Sequence, residues 1–183
     1  MGVKIDRKRT AISRSMPSAP TRWACDNGYI PKGSVVFDYG CGKGRDMEYL
    51  NSVGCAATGY DPHYFPDNHN GRINFTMFDV VLCNYVLNII EDKKERSALV
   101  ENIFSRAIEG TTVIVSVRSA SHIRSTAKRN KWQKYRDGFI TKHNTFQKGY
   151  SKEELIKYLK DSGAGDNIEC VNTSNGIICV VIV

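Results

Sequence analysis

Two acidic residues follow two predicted strands, and a glycine-rich turn comes directly after the first of them. Asp38 follows the apolar run at 35–37, and the turn behind it contains Gly40, Gly42 and Gly44. Glycine lets a backbone bend sharply and approach a ligand without interference from a Cβ atom. Asp61 ends the next apolar run about twenty residues on, the spacing at which an acid meets ribose hydroxyls in a strand–helix–strand nucleotide site. The second acid therefore favours a nucleotide site over a glycine turn that only closes a strand–helix corner.

Alternating strand and helix patterns must position these acids at one edge of a sheet. The predicted strands are 34–39, 56–60, 79–84, 111–117, 167–172 and 177–183. The predicted helices are the segment TRWACDNGY, 45–53, 91–108 and a helix that begins with a capping box of Ser151 and Glu154. Only a short, turn-rich segment separates Asp61 from the strand at 79–84, so we expect the third strand and helix of a full nucleotide-binding fold to be shortened. The fold class is thus α/β, with a Rossmann-like sheet, a shortened middle and a C-terminal antiparallel hairpin.

Positive charge is concentrated in two flanking segments of the 183-residue chain, whose formal net charge is +7. Residues 1–34 hold seven Lys and Arg against two acids, and residues 118–152 hold ten against one, whereas the remaining segments are acidic. The length suits a single domain over 1–183, with a basic N-terminal lead at 1–33 and a basic aromatic insert at 118–150. This distribution predicts a polyanionic partner that approaches one face.

The cysteine pattern and the hydropathy pattern indicate the compartment. Six cysteines are scattered without a Cys-x-x-Cys pair, so we predict neither a zinc site nor a disulfide framework, but free thiols in a reducing cytoplasm. No apolar run approaches the roughly 18 residues of a membrane span. The N-terminus has no apolar region typical of a secretory signal. We therefore expect a cytoplasmic protein with no metal and no membrane contact.

Several sequence blocks, in order, resemble one family. They are TAISRSMPSAPTR, VVFDYGCGKGRDMEYL, GYDPHYFP, DVVLCNYVLNIIED and TFQKGYSKEEL. They resemble the DNA phosphorothioation-associated methyltransferases of bacteria and phages, within the class I S-adenosylmethionine (SAM)-dependent group, and the resemblance covers nearly the whole chain. It implies a class I methyltransferase sheet, SAM as the cofactor and a link to DNA modification. It supplies no established substrate.

The resemblance also implies which residues bind SAM. Asp38 and the loop residues Gly40, Cys41, Gly42 and Gly44 would hold its amino-acid end. Asp61 would accept hydrogen bonds from the ribose hydroxyls, and the alternative is a turn aspartate before Pro62. The adenine contact follows the third strand in such enzymes, where this sequence departs from the pattern. The candidates there, by position only, are Thr76, Met77, Phe78 and Asp79.

The strand end at 79–84 leads into the candidate catalytic residues, Asn84, Tyr85 and Asn88. Methyltransferases that act on DNA amino groups carry Asn or Asp, then Pro-Pro, then an aromatic residue around the flipped base. The two prolines are absent here, which disfavours an N6-adenine or N4-cytosine enzyme, and Cys83 lacks the preceding proline of a C5-cytosine enzyme. The alternative is a core segment in which Asn84 only caps the strand. Methyl transfer mainly needs positioning, so the lack of an obvious base does not exclude catalysis.

Cations and aromatic residues are interleaved in the insert. The candidate nucleic-acid-binding residues are Lys128, Arg129, Lys131, Trp132, Lys134, Tyr135 and Arg136. Cations track phosphates and aromatic rings stack on unpaired bases, whereas the alternative is a solvated basic helix with its aromatics packed inward. We therefore expect a SAM-dependent methyltransferase that acts on nucleic acid, DNA rather than RNA, in a modification or phage–host defence context. The alternatives are a small or nucleotide-like acceptor, or a regulator that binds SAM or S-adenosylhomocysteine (SAH) without turnover.

Overall fold

The computed structural model describes residues 4–66 and 78–183. Within these ranges the strands are Val35–Tyr39 (β1), Ala56–Tyr60 (β2), Val80–Asn84 (β3), Thr112–Arg118 (β4), Gln133–Tyr135 (β5), Gly138–Ile140 (β6), Phe146–Gln147 (β7), Ile168–Asn172 (β8) and Gly176–Ile182 (β9). The α-helices are Ala19–Asp26 (α1), Arg45–Ser52 (α2), Lys93–Phe104 (α3), Ala120–Arg129 (α4) and Lys152–Asp161 (α5), and a 3-10 helix covers Arg7–Thr10.

The central sheet has the strand order β2-β1-β3-β4-β9-β8. Strand β1 pairs in parallel with β2 and β3, and β3 pairs in parallel with β4. The C-terminal hairpin adds β9 antiparallel to β4 and β8 antiparallel to β9. The α/β class and the terminal hairpin are therefore confirmed, and the carboxyl ends of β1 to β4 share one edge. The expected shortening of the third strand and helix concerns residues 67–77, which lie outside the described residues.

Both faces of the sheet are covered, as its nearly continuous apolar strands require. Successive side chains of a strand point to opposite faces. In β3, Val81 and Cys83 pack with residues of α3 and α5, whereas Val80 and Leu82 pack with residues of α1 and α2. This double packing fixes where β1 and β3 end, and hence where the residues that follow them lie.

Side-chain caps set the starts of α1, α3, α4 and α5. Ser151 accepts a hydrogen bond from the Glu154 backbone N–H at 3.1 Å, which confirms the predicted N-cap. The Glu154 side chain is bound to Lys148 at 2.6 Å. Helix α3 is shorter than the predicted 91–108 because Asp92 is its N-cap, with its carboxylate 3.0 Å from the Glu95 backbone nitrogen.

The expectation of free thiols throughout is wrong for two of the cysteines. Cys170 on β8 and Cys179 on β9 lie directly opposite each other and form a disulfide, with 4.1 Å between their Cα atoms. Sequence spacing does not reveal this pairing because it depends on strand register. The remaining cysteines, Cys25, Cys41, Cys55 and Cys83, are free. Among the described residues, no helix combines the length and apolarity needed to cross a membrane.

The basic aromatic insert folds into α4 and a small antiparallel sheet of order β5-β6-β7. Asp137, in the turn between β5 and β6, forms an ion pair with Arg96 of α3, whose side chain is 2% exposed. The Lys148 ammonium lies 3.7 Å from the Asp137 carboxylate and 2.6 Å from that of Glu154. We call these four residues the ion cluster. It attaches the insert to α3 and α5.

Candidate cofactor and acceptor site

The glycine loop joins β1 to α2 at the carboxyl edge of the sheet. The Gly40 backbone N–H donates to the Tyr60 carbonyl at 2.7 Å, which holds the loop against the end of β2. Gly40 has a φ of +76°, and a Cβ atom there would lie 2.4 Å from Cγ2 of Val86. Such an approach requires glycine. The loop therefore presents bare backbone to the space beside β3.

Asp61 lies at the end of β2 and faces the same loop. Its Oδ2 accepts a hydrogen bond from the Gly42 backbone N–H at 3.2 Å, and its Oδ1 accepts from those of His63 and Tyr64 at 2.9 and 3.2 Å. Asp61 therefore does stabilise the turn that follows it, as the alternative interpretation predicted. The carboxylate also retains acceptor capacity, because two oxygens offer about four lone-pair directions.

Asp38 is 2% exposed at the end of β1. Burial, and then the charge of Asp46, raise the pKa of the Asp38 carboxyl well above its usual range, while the nearby Arg14 acts in the opposite direction. The Asp46 carboxylate, by contrast, accepts from the Ser18 backbone N–H and hydroxyl, both at 2.6 Å, and from the Thr21 hydroxyl at 2.7 Å. The Asp46 carboxylate is thus surrounded by hydrogen-bond donors, whereas burial and the neighbouring charge of Asp46 disfavour the ionised form of Asp38.

Cys41 lies between the two acids and is half-buried. Burial, and then the negative charge of Asp38, raise the pKa of the Cys41 thiol. Burial also raises the pKa of the Cys83 thiol. Because the thiolate is the nucleophilic form, both cysteines act as neutral side chains.

A cavity of about 560 Å³ lies between the glycine loop and the end of β3. Its third wall is the N-terminal strap, which we define as residues 4–16. Most of the residues predicted for cofactor and acceptor line this cavity, namely Asp38, Gly40, Cys41, Gly42, Asp61, Asn84, Tyr85 and Asn88. The structure therefore brings together three segments that are remote in the sequence.

Ionic contacts hold the N-terminal strap over the cavity. The Arg7 guanidinium lies 2.9 Å from the Glu91 carboxylate and 2.5 Å from that of Glu95. Farther along, the Lys43 ammonium donates to the Ser13 hydroxyl at 2.7 Å. The strap is thus bound to α3 at one end and to the glycine loop at the other.

The amide groups of Asn84 and Asn88 are engaged by the protein itself. Asn84 donates to the Thr21 hydroxyl at 3.0 Å and accepts from that of Ser116 at 2.9 Å. Asn88 is 1% exposed, and its side chain donates to the Lys148 carbonyl and accepts from the Arg118 backbone N–H. Both amides therefore position neighbouring elements.

Tyr85 differs from these two residues. It has a φ of +61°, in the left-handed region that few non-glycine residues adopt, and its backbone N–H donates to the Ser116 carbonyl at 2.9 Å. No hydrogen bond within the described ranges engages its hydroxyl. The Arg118 guanidinium lies over the Tyr85 ring, 4.3 Å from its centroid. Arg118 and Gln147 also line the cavity, and the sequence carried no motif that pointed to either as a cavity residue.

Two of the predicted cofactor residues lie elsewhere. Gly44 precedes α2 with a φ of +81° and borders a smaller depression beside Phe65. Asp79 is exposed at the amino end of β3, where its carboxylate accepts from the Val35 backbone N–H at 2.7 Å. The structure therefore places Asp79 at the opposite edge of the sheet from Asp61. Of its neighbours proposed for adenine, Thr76 and Met77 lie outside the described residues, and Phe78 packs on Phe37.

The residues predicted to bind nucleic acid lie outside the cavity. The cations Lys128, Arg129, Lys131, Lys134 and Arg136 are exposed, and the aromatics Trp132 and Tyr135 are half-buried. Arg136 pairs with Asp92 at 3.3 Å. No ion pair with a described residue involves the other four cations. The insert therefore presents unpaired positive charge at the surface, with its aromatic rings partly packed inward.

The cavity fits the expected cofactor. Its volume falls in the range of roughly 300–1,000 Å³ typical of small-molecule sites. A zwitterionic amino acid and a ribose, the polar parts of SAM, need a cation, an anion and a hydroxyl acceptor. Arg14, Asp38 and Asp61 line the cavity and supply these three groups. Within the described ranges no group of three His, Cys, Asp or Glu side chains could hold a metal ion.

Comparison with known proteins also indicates a methyltransferase. A family model described as a methyltransferase domain matches residues 10–165. No curated protein sequence matches the chain. A SAM-dependent methyltransferase from Methanosarcina mazei aligns with a TM-score of 0.66 at 17% identity, over 85% of this chain and 95% of that one.

Two further solved structures share the fold. A SAM-dependent methyltransferase from Clostridium acetobutylicum aligns with a TM-score of 0.63 at 14% identity, over 96% of this chain and 94% of that one. The 1,6-didemethyltoxoflavin-N1-methyltransferase of Burkholderia thailandensis, solved with 1,6-didemethyltoxoflavin and SAH, gives 0.63 at 15% identity, over 89% of this chain and 77% of that one. At these identities the similarity concerns the fold, a mainly parallel sheet with antiparallel C-terminal strands.

Proposed function

Because the chain belongs to the methyltransferase-domain family, we propose that it transfers a methyl group from SAM to a nucleic acid, with DNA favoured over RNA. SAM is the cofactor, and when bound it supplies an activated methyl group. The whole of 1–183 would act as one methyltransferase domain.

Different residues around the cavity would hold different parts of SAM. The loop at Gly40 and Gly42 gives the cofactor a backbone surface, and Asp61 accepts from the ribose hydroxyls. Asp38 faces the ammonium of the amino-acid end, and Arg14 faces its carboxylate. The observation that carries this assignment is that all five residues line one cavity at the carboxyl edge of the sheet.

The acceptor side of the cavity is formed by the end of β3. Methyl transfer is an in-line displacement. Its main requirement is that the acceptor atom be held close to the methyl group and in line with the bond that breaks. Tyr85 is our candidate for direct contact because its hydroxyl is not engaged by the described residues. Asn84 and Asn88 act as positioning residues, since their amides hold Thr21, Ser116 and Arg118 in place.

Unpaired exposed cations support nucleic acid as the acceptor. Lys128, Arg129 and Lys131 lie at the end of α4 and in the turn that follows it. The same insert also supplies Arg118 and Gln147 to the cavity. Phosphates bound along this surface would lead towards the acceptor end of the site. The resemblance of the sequence blocks to DNA-modification enzymes is what favours DNA over RNA.

A transfer assay tests this proposal. Protein is incubated with methyl-labelled SAM and single-stranded DNA, duplex DNA or RNA, and label in a polynucleotide is the expected result. A Lys128→Gln/Lys131→Gln variant should bind single-stranded DNA more weakly, and its salt slope should fall by about 0.7 for each phosphate that the variant no longer neutralises. Lys157→Gln/Lys160→Gln on α5 is the matched control, because these lysines are paired with Asp161 and Asp166. Label in no polynucleotide contradicts the proposal.

The covered cavity supports a second candidate, a small or nucleotide-like acceptor. The N-terminal strap contributes Arg7, Thr10, Ala11, Ile12 and Arg14 to the cavity wall. Because this wall covers the cavity, it favours a small ligand that fits entirely inside over a long polymer. Label in a mononucleotide, together with DNA binding that is weak and does not compete, would favour this candidate.

We also propose a cytoplasmic location. The free cysteines Cys25, Cys41, Cys55 and Cys83 suit a reducing compartment, whereas the Cys170–Cys179 disulfide is the observation against it. Thiol labelling of protein from gently lysed cells tests this point, and the expected result is free Cys25 and Cys55.

A further inference from the structure

Arg118 is a cation of the cavity with no acidic partner in the part of the chain that the structure describes. It ends β4, is half-buried and lines the cavity beside Tyr85 and Gln147. No carboxylate among residues 4–66 and 78–183 lies within ion-pair distance of its guanidinium. The acids that line the cavity are Asp38, Asp46 and Asp61 on the glycine-loop side and Glu95 of α3, which pairs with Arg7. Arg118 is therefore a cation of the cavity whose charge no described carboxylate offsets.

The position of Arg118 is fixed from two sides. Its backbone N–H donates to the buried Asn88 side chain at 2.9 Å. Its guanidinium lies on the ring of Tyr85, and Tyr85 is in turn held by its hydrogen bond to the Ser116 carbonyl. A guanidinium that lies over an aromatic ring keeps its N–H groups available at the edges of its plane. The Arg118 guanidinium can therefore bind an acceptor group that the described residues do not provide.

The chemistry of this arrangement selects a phosphate. A guanidinium offers parallel N–H donors that match two oxygens of one phosphate, and such charge-assisted pairs are among the stronger polar contacts in proteins. Gln147 adds an amide at the same end of the cavity. This end also adjoins Tyr85, the candidate for contact with the acceptor.

We propose that Arg118 binds a phosphate group of the methyl acceptor and thereby determines which acceptor atom meets the methyl group. This inference rests on the proposed function, because it concerns the acceptor of that reaction. The phosphate belongs either to the backbone of a nucleic acid or to a free nucleotide. Arg118 would then be a specificity-determining residue, with Asn88 as its positioning residue and Tyr85 beside it at the acceptor.

Direct binding measurements test the inference without requiring turnover. Arg118→Gln and Arg118→Lys are compared with the wild type and with Arg124→Gln, an exposed residue of α4 outside the cavity. Each protein, saturated with SAH, is titrated calorimetrically with inorganic phosphate, the four deoxynucleoside 5′-monophosphates and a single-stranded oligodeoxynucleotide. Thermal melts verify that every variant is folded. We expect Arg118→Gln to weaken binding of a phosphate-bearing ligand about tenfold or more, Arg118→Lys to weaken it less, and Arg124→Gln to leave it unchanged.

The two sources of phosphate give different results. If mononucleotide binding depends on Arg118, the phosphate of a free nucleotide is recognised. If only the oligonucleotide responds, the backbone phosphate is recognised. Unchanged binding of both ligands in Arg118→Gln overturns the inference. So does a comparable loss of SAH affinity, because Arg118 would then serve the cofactor. Failure to label any polynucleotide contradicts the proposed nucleic-acid acceptor, whereas the dependence of phosphate binding on Arg118 is measured separately.

Discussion

The Asp61 carboxylate accepts a hydrogen bond from the Gly42 backbone N–H, with 3.2 Å between Oδ2 and the nitrogen, and so couples the end of β2 to the glycine loop. We predict that Asp61→Asn weakens SAH binding about tenfold. An asparagine keeps one oxygen as acceptor for the His63 and Tyr64 N–H groups but lacks the charge that strengthens hydrogen bonds from ribose hydroxyls. Asp61→Ala removes the turn hydrogen bonds as well, so we expect a larger decrease in affinity together with a lower Tm. Calorimetric titration with SAH measures the affinities, and thermal melts measure the Tm.

Asp79→Asn is the matched control for this prediction. Asp79 is also an acid next to a strand, but it lies at the amino end of β3. We expect its replacement to leave SAH affinity unchanged. If Asp79→Asn weakened SAH binding as much as Asp61→Asn, the placement of the cofactor at the carboxyl edge would be wrong.

The parts of the fold that the sequence predicts are those set by local chemistry. Strand β2 matches the predicted 56–60, and Ser151 caps α5 as expected. The glycine loop and Asp61 could be recognised from nearby residues, because a tight turn requires glycines and the end of a buried strand is marked by an apolar run followed by a polar residue. Local signals were therefore sufficient to bring the glycine loop and Asp61 to one cavity, but they did not indicate Arg14.

Features that depend on register or on distant contacts could not be predicted. Cys170 and Cys179 are brought together only by the pairing of β8 with β9. Asp79 was a candidate cofactor residue by sequence position, but β3 begins directly after it, so it lies at the amino end of that strand. Arg118 and Gln147 reach the cavity because β4 and β7 end there, with nothing in their neighbourhoods to indicate it. The wall of the cavity formed by Tyr85, Arg118 and Gln147 was correspondingly harder to infer.

We predict that Asp38→Asn stabilises the ligand-free protein and weakens its binding of SAH. The pKa of Asp38 is raised from an ordinary value of 3.8, so the folded state holds this proton more tightly than the unfolded state does. The cost of its charge is absent near pH 3.8 and grows as the pH rises. The stability gain of the variant, on the order of 1–3 kcal/mol at neutral pH, should therefore vanish towards pH 4. Urea unfolding across this range measures it, and a less stable variant at pH 7 would contradict the prediction.

We predict that the ion pairs of Arg7 control opening of the N-terminal strap. A Glu91→Gln/Glu95→Gln variant should be cleaved by trypsin after Arg14 about 2 to 30 times faster than the wild type, since exposed pairs contribute roughly 0.2–1 kcal/mol each. SAH should slow cleavage in both proteins if the strap covers the bound cofactor. Mass spectrometry of timed digests gives the rates.

Asp161→Asn is the control for the strap. Asp161 pairs with Lys157 at 3.0 Å on α5, so its replacement removes an exposed ion pair without touching the strap or the residues that hold it. Cleavage after Arg14 should keep its wild-type rate in this variant. Equal rates in the Glu91→Gln/Glu95→Gln variant and the wild type would show that the strap is held by its other contacts.

The ion cluster should make Asp137 more important for stability than its exposure suggests. Asp137→Ala leaves the buried Arg96 guanidinium with the Ile90 carbonyl, at 2.9 Å, as its remaining acceptor among the described residues. We expect a decrease of about 1–3 kcal/mol in the free energy of unfolding in urea, below the full cost of an unpaired buried charge because the Asp137 side chain is 41% exposed. The control Asp161→Ala, whose partner Lys157 is exposed, should change stability by less than about 0.5 kcal/mol. Adding Arg96→Met to Asp137→Ala removes the unpaired charge and should recover part of the stability. A double variant less stable than Asp137→Ala would mean that Arg96 stabilises the insert through its packing rather than through its charge.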